Sequence, residues 1–312
     1  MLPVSKISGK NPPRKKDNLW TRARIIQGIR RFFIDRNYLE VETPVRIPAP
    51  APETHIDAVP SDGWFLHTSP ELCMKRMLAA GYPKIFQVAK CFRDKERGTH
   101  HLPEFTLLEW YRTGIDYWEM MNECEDLILF VSRYLGLGER IRYRGREIYL
   151  EKPWIRLSVK EAFRQYSPAS LEKVLEGNHF DEAMVCHIEP NLSCEKPVFL
   201  YDYPVSLGAL ARSKKDDPAV AERFEIYMGG LELANAFSEL TDVNEQRIRF
   251  SREQEYRRGL GKTTYPSPEN FLDALHDMPE SAGIALGVDR LVMIFTDSDT
   301  IDDVVTFTIE EL

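Results

Sequence analysis

Residues 84–112, KIFQVAKCFRDKERGTHHLPEFTLLEWYR, leave the chain few choices of fold. A short apolar run of strand type, 85–88, leads to Phe92 and Arg93. A polar loop follows with two adjacent histidines, His100 and His101. A second apolar run, 105–111, then carries Glu109 inside it. Strand, charged loop, strand reads as a long antiparallel hairpin. An arginine fixed at the end of its first strand presents a planar guanidinium to an anion.

The flanking segments mix helices and strands. From Asn18, a helix is expected through residue 35, because Leu19, Ala23, Ile26, Ile29 and Phe33 recur on one face. A strand over 39–43 is stopped by Pro44. Residues 44–60 hold five prolines and read as a loop. Helices are expected at 70–80 and 117–135, and a charged one at 244–258. Strands are expected at 199–203, 224–227 and 231–240. Residues 283–287 form a short strand that turns at Gly287 into a helix over 288–295. Residues 138–200 mix short elements and carry no recognisable chemistry. Apart from a crossover at each end the strands look antiparallel, so the expected class is α+β. Residues 1–17 are polar and Pro-rich and read as a flexible arm.

Charge and cysteine content remove several function classes. The net charge of −8 leans against a large nucleic-acid interface; 14–16 (RKK) and 214–215 (KK) are the basic patches that stand out. Five cysteines, without C-x-x-C spacing, speak against a disulfide framework and a zinc cage. No run is long and apolar enough to be a membrane span or signal peptide, so the expected compartment is the cytoplasm.

Two features carry chemistry beyond the hairpin. Arg290 stands in the first turn of the helix that opens at Gly287, where the helix terminus and a full positive charge both favour an anion. Glu225 lies inside RFEIY, and Glu232 and Glu239 inside LELANAFSEL. Acids in such runs are costly to bury unless a cation or donor meets them, though strands with one wet face give the same pattern. With Glu71 and Glu109 they make five carboxylates that could share one cleft, which would call for a metal, an ammonium or both. Residues 259–264, GLGKTT, imitate a phosphate-binding loop, but Tyr256 stands where that pattern needs glycine and a charged helix precedes it.

The hairpin resembles motif 2 of the class II aminoacyl-tRNA synthetases, and its PEFT-x-x-E-x-Y ending resembles the lysine branch. The helix–strand–proline segment resembles motif 1, which implies a homodimer. Residues 283–295, GIALGVDRLVMIF, resemble motif 3. The resemblance runs from about residue 19 to the C-terminus and implies one catalytic domain over 18–312. It implies that ATP is held by Arg93 at the α-phosphate, Arg290 at the γ-phosphate, His101 near the phosphates and Phe105 beneath the adenine, with Mg²⁺ on Glu225 and Glu232. It further implies that Glu71, Glu109, Tyr111, Asn235 and Glu239 hold the amino acid, with Glu239 at its side-chain ammonium. Where the family motif reads Phe-Arg-x-Glu, this chain has Lys95, and Glu96 one place later; either Glu96 substitutes as the adenine reader or the backbone reads alone. His100 is expected to face solvent.

Too few residues precede the first helix for the anticodon-reading OB barrel of a lysyl-tRNA synthetase. The chain closely resembles the elongation factor P lysyltransferases, truncated paralogues that attach β-lysine to a lysine of that factor. Synthetases read IGNGF where this chain has LANAF at 233–237. The methyl of Ala234 would crowd an α-amino group and favour a β-amino acid, or be neutral; Ala236 departs from the glycine of both groups. The resemblance therefore implies transfer of lysine or β-lysine to elongation factor P. An amino-acid ligase acting on tRNA or a small amine, and a non-catalytic lysine or adenylate binder, are the competing classes.

Overall fold

The computed structural model describes residues 12–312. Helix α1 spans Pro12–Ile34. It therefore begins upstream of Asn18, and residues 12–17 of the expected arm are helical; the rest of that arm lies outside the described residues. Asn18 is not a cap. Its side-chain amide is buried inside the helix face and donates to Ser298 Oγ (3.0 Å) and the Asp303 carbonyl (3.1 Å).

Eight strands form the main sheet: β1 Leu39–Glu40, β2 Lys84–Phe92, β3 Glu104–Thr113, β4 Ile155–Ser158, β5 Val198–Pro204, β6 Val220–Met228, β7 Leu231–Ser238 and β8 Ser281–Gly287. Their order is β1-β2-β3-β8-β7-β6-β5-β4. The β1/β2 and β4/β5 pairs at the edges are parallel and every pair between them is antiparallel. β1 has two paired residues rather than the five expected, because the chain leaves the edge before Pro44, which lacks a donor for the ladder.

Four further helices matter to the site: α2 Glu71–Ala79, α3 Tyr117–Leu135, α4 Val243–Gly259 and α5 Val288–Phe295. The bounds of α3 follow from local chemistry. The Asp116 carboxylate accepts from the N–H groups of Trp118 and Glu119, the Glu119 side chain returns to the Asp116 N–H, and Gly136 at φ +82° ends the helix. The glycines of 259–264 sit at the exit of α4, so no strand–loop–helix phosphate site forms there.

Alternation along each central strand separates a dry face from a site face. Leu108 and Trp110 of β3, Phe224 and Ile226 of β6, and Ile284 and Leu286 of β8 enter the main core, shared with Ile25, Phe33, Leu127, Leu291 and other residues of α1, α3 and α5. A buried tie holds that layer: Asp289 accepts from Arg22 Nη1 at 2.5 Å and from the Thr106 N–H at 2.7 Å. The opposite face opens into a cavity. Short helices over 159–183 pack a separate apolar cluster beside β5, around Phe163, Phe180 and Tyr203.

Candidate active site

The cavity measures about 1190 Å³. On β3 the residues facing it are Phe105, Leu107, Glu109 and Tyr111, and on β6 Arg223, Glu225 and Tyr227. The Cα register pairs Glu225 with Asn235 and Tyr227 with Glu232, leaving Leu233 as an extra residue. In a regular strand, residues 232 and 235 would face opposite sides. The bulge at Leu233 turns Leu233 and Ala234 into the core together and brings Glu232 and Asn235 onto the cavity face. Ala234, only 2% exposed, packs in the core while its edge still borders the cavity. Ala236 is wholly inside the core.

At one end the cavity is basic. Arg93 lies 3.6 Å from Glu96 and its guanidinium sits 4.9 Å from the Phe105 ring centroid. Its Nε is buried without an acceptor among the described residues. Lys95, at φ +62°, turns its side chain outward (87% exposed), whereas Glu96 lines the cavity. Arg290 Nη1 donates to the Glu232 carbonyl (2.6 Å) and lies 3.3 Å from Glu232 Oε2. Arg290 Nη2 approaches His101 Nε2 at 2.6 Å. An arginine only donates, so that ring nitrogen is the acceptor and the His101 proton is on Nδ1. Burial, then the Arg290 charge, lowers the His101 pKa and keeps the ring neutral. His100 is half-buried rather than solvent-facing, because Arg144 Nη2 holds its Nε2 at 2.9 Å.

The other end is acidic and buried. Glu109 is fully buried and accepts from Ser69 Oγ (2.6 Å) and Tyr111 Oη (3.0 Å). Burial and then the neighbouring Glu71 push its pKa up to about 8. Glu239 lies just below the cavity floor with its side chain wholly buried, and burial raises it to about 8 as well. Its charge partner comes from the protein. Lys75 Nζ, on the first turns of α2, lies 2.5 Å from Glu239 Oε2 and 2.6 Å from Glu71 Oε1, over the Phe237 ring at 4.9 Å. Burial alone would lower the Lys75 pKa, but the two carboxylates outweigh it and the net shift is upward. Glu239 still lacks a well-directed hydrogen bond to either oxygen among the described residues. Its Oε1 and the Tyr111 ring pack into the space that a side chain at Gly283 would take: a Cβ there would stand 2.5 Å from Oε1 and 2.2 Å from Tyr111 Cε1.

Glu225 is already heavily used. It accepts from Tyr203 Oη (2.6 Å), Tyr227 Oη (2.8 Å) and Arg223 Nη2 (2.5 Å). Arg223 Nε also donates to Asn235 Oδ1 (3.0 Å). Burial dominates and raises the Glu225 pKa.

Twelve of the thirteen residues singled out in the sequence thus line one cavity, with Glu239 directly beneath it. Sequence reasoning missed Lys75, Arg223 and the tyrosines that hold Glu225. Lys75 had a signal, its i,i+4 spacing from Glu71, but that spacing ordinarily marks an exposed helix pair.

A cavity with paired guanidinium groups at one end and buried acids at the other, on an antiparallel sheet, is the architecture of a class II synthetase core. The sequence matches the family described as tRNA synthetases class II (D, K and N) over residues 9–311, and the chain belongs to that family. Within it, the chain is 38% identical to an elongation factor P–(R)-β-lysine ligase of Proteus mirabilis, over 98% of this chain and 99% of the relative. It is 40% identical to the ligase of that name from Erwinia tasmaniensis, over 94% and 95%, and 38% identical to that of Salmonella gallinarum, over 96% and 97%.

Proposed function

We propose that this protein is an ATP-dependent ligase that activates lysine or (R)-β-lysine as an adenylate and transfers it to a lysine side chain of elongation factor P. The observation that carries the reading is the division of one cavity into a cationic end and a buried acidic end. Arg93 offers an unpaired Nε donor, and Glu239 an acceptor without a directed partner, at the two places where a phosphate and an ammonium are needed. The near-full-length relatives carrying that name support the same acceptor.

The substrate carboxylate attacks the α-phosphorus of ATP and pyrophosphate leaves. Negative charge grows on phosphate oxygens, so fixed cations do most of the work. Arg93 holds the α-phosphate with Phe105 beneath the adenine, and Glu96, turned inward beside Arg93, takes the adenine-reading role. Arg290, oriented by neutral His101 and the Glu232 carbonyl, holds the γ-phosphate. Glu239 and Glu71 take the side-chain ammonium, Glu109 and Tyr111 close the wall, and Asn235 is fixed by Arg223. Ala234 narrows the wall where an α-amino group would lie.

Among the described residues no group of three His, Cys, Asp or Glu side chains forms a metal cage. A pair suffices for Mg²⁺, which takes one or two carboxylates and completes its shell with phosphate and water. Glu232, with 41% of its side chain exposed, has room to serve, and Glu225 is pre-oriented by its tyrosines. Mg²⁺ held by these two carboxylates would supply positive charge for the pyrophosphate leaving group.

Trp20, Ile34 and Leu39 are exposed along α1 and β1, an apolar surface that suits a homodimer. An acceptor that is a translation factor makes the cytoplasm the working compartment, and no helix among the described residues is long and apolar enough to cross a membrane. The test incubates the protein with ATP, Mg²⁺ and (R)-β-lysine and measures the mass of intact elongation factor P beside acid-precipitable charging of tRNA. A gain of one lysyl unit on the factor is expected. Charged tRNA with an unmodified factor would overturn the reading.

A further inference from the structure

One cavity carboxylate has no part in the chemistry above. Glu53 lines the cavity from the proline-rich loop between β1 and α2. That loop is pinned from outside. The fully buried Arg257 of α4 donates from Nη1 to the carbonyls of Glu53 (2.6 Å) and Ile56 (2.9 Å), and from Nη2 to Asp57 Oδ1 (2.8 Å). Thr54 donates its N–H to Glu253 Oε2 at 2.9 Å, and its hydroxyl to the same oxygen. The backbone is therefore fixed on both sides of Glu53, while its carboxylate makes no hydrogen bond or ion pair among the described residues. The charged groups that face it are Glu71 of α2, Arg93 at the end of β2, Glu253 of α4 and Arg223 of β6. Glu71 belongs to the amino-acid end and Arg93 to the phosphate end. Glu53 thus lines the same cavity as both ends and lies within electrostatic reach of a residue from each.

We infer that Glu53 is the general base of the transfer step, taking the proton from the acceptor amine as it enters above the adenylate. The inference rests on the proposed ligase reading. A protein lysine arrives as an ammonium and has no lone pair until it loses a proton. That proton passes to the Glu53 carboxylate. The freed nitrogen forms the N–C bond to the activated carbonyl, the carbonyl C–O(phosphate) bond breaks, and AMP leaves with the electron pair. The second nitrogen proton departs as the tetrahedral intermediate collapses and goes to the phosphate or to water, and Glu53 returns its own proton to solvent. A base suits this task when its pKa is close to the working pH. Burial, and then Glu71, push Glu53 up to about 7.

The experiment separates the half-reactions. Wild type and Glu53→Gln are loaded with adenylate from ATP, Mg²⁺ and (R)-β-lysine, then mixed with elongation factor P in a rapid-quench instrument. Pyrophosphate exchange is measured in parallel, and melting temperature reports folding. The expected result is a loss of about 10²-fold in single-turnover transfer, against about 3-fold or less in exchange. Wild-type transfer should rise with pH through an inflection near 7 that E53Q lacks, with part of the rate restored by E53D. Transfer by E53Q at the wild-type rate would overturn the inference. So would a rise in the amino-acid KM for exchange that accounts for the whole loss, since Glu53 would then hold the substrate ammonium. A wild type that forms adenylate but leaves the factor unmodified refutes the proposed acceptor instead, and the same comparison is then made with n-butylamine as the acceptor.

Discussion

At Gly283 the strand has no room for a side chain. A Cβ built there would stand 2.2 Å from Tyr111 Cε1 and 2.5 Å from Glu239 Oε1. Gly283→Ala is expected to cost about 1–3 kcal/mol of stability in urea unfolding and to raise the amino-acid KM in pyrophosphate exchange, because the added methyl displaces Tyr111 and Glu239. Lys75 is the second decisive residue. Lys75→Met leaves two acids without their cation and is expected to destabilise the ligand-free protein by about 3–5 kcal/mol. Added lysine should restore part of this, so its thermal-shift effect is larger in the variant than in the wild type. The pH dependence follows in sign. Glu109 and Glu239 have folded pKa values near 8, above the unfolded carboxylate value. Their contribution is complete below about pH 4.5 and is lost as pH rises through about 8. Lys75, shifted upward, stays charged across that window and does not reverse the trend. The melting temperature of the ligand-free protein should therefore fall from pH 5 to 8, and stabilisation by lysine should grow over the same range; Glu109→Gln should flatten both. The buried acids were legible because a carboxylate inside an apolar strand run is conspicuous. Lys75 was not, since only its packing against Phe237 and Phe271 from other elements reveals that it is buried.

Among the elements, α3 was fully legible and β7 was not. The capping residues of α3 act within a few positions of one another, so its bounds are written locally. The bulge in β7 arises from the register against β6, and nothing in LELANAF marks Leu233 as the extra residue. Simple alternation would have sent Glu232 into the core. The start of α1 was misjudged for a similar reason: Asn18 is a good capping residue type, but partners from the C-terminal segment claim its side chain. The tie between α1 and the sheet gives an element-scale prediction. Arg22→Ala leaves Asp289 buried without its guanidinium, and urea unfolding should report a loss of about 3–5 kcal/mol. Because Asp289 also holds the Thr106 N–H next to Phe105, ATP affinity should fall with it.

For the molecule as a whole, the apolar surface along α1 and β1 leads to an assembly prediction. Sedimentation should give twice the chain mass of 36.2 kDa, and Trp20→Asp, at a position 67% exposed in the single chain, should shift it toward monomer. The architecture at this scale was readable because three separated segments had to converge for any of them to make sense, and the sheet order brings β2, β3 and β8 side by side. The distances that decide chemistry, such as Lys75 to Glu239, depend on helix–sheet packing that no single segment encodes. That tethered ammonium has a consequence for life in a crowded cell. A floor of naked carboxylates would be a trap for potassium and polyamines, which are abundant and would block the enzyme. Here each intruder meets acids already answered by a cation that cannot diffuse away, so loose positive charge alone gains little. A guest must bring its own complement of directed donors, and Glu239, whose oxygens have no directed hydrogen bond among the described residues, is the acid such a donor would answer.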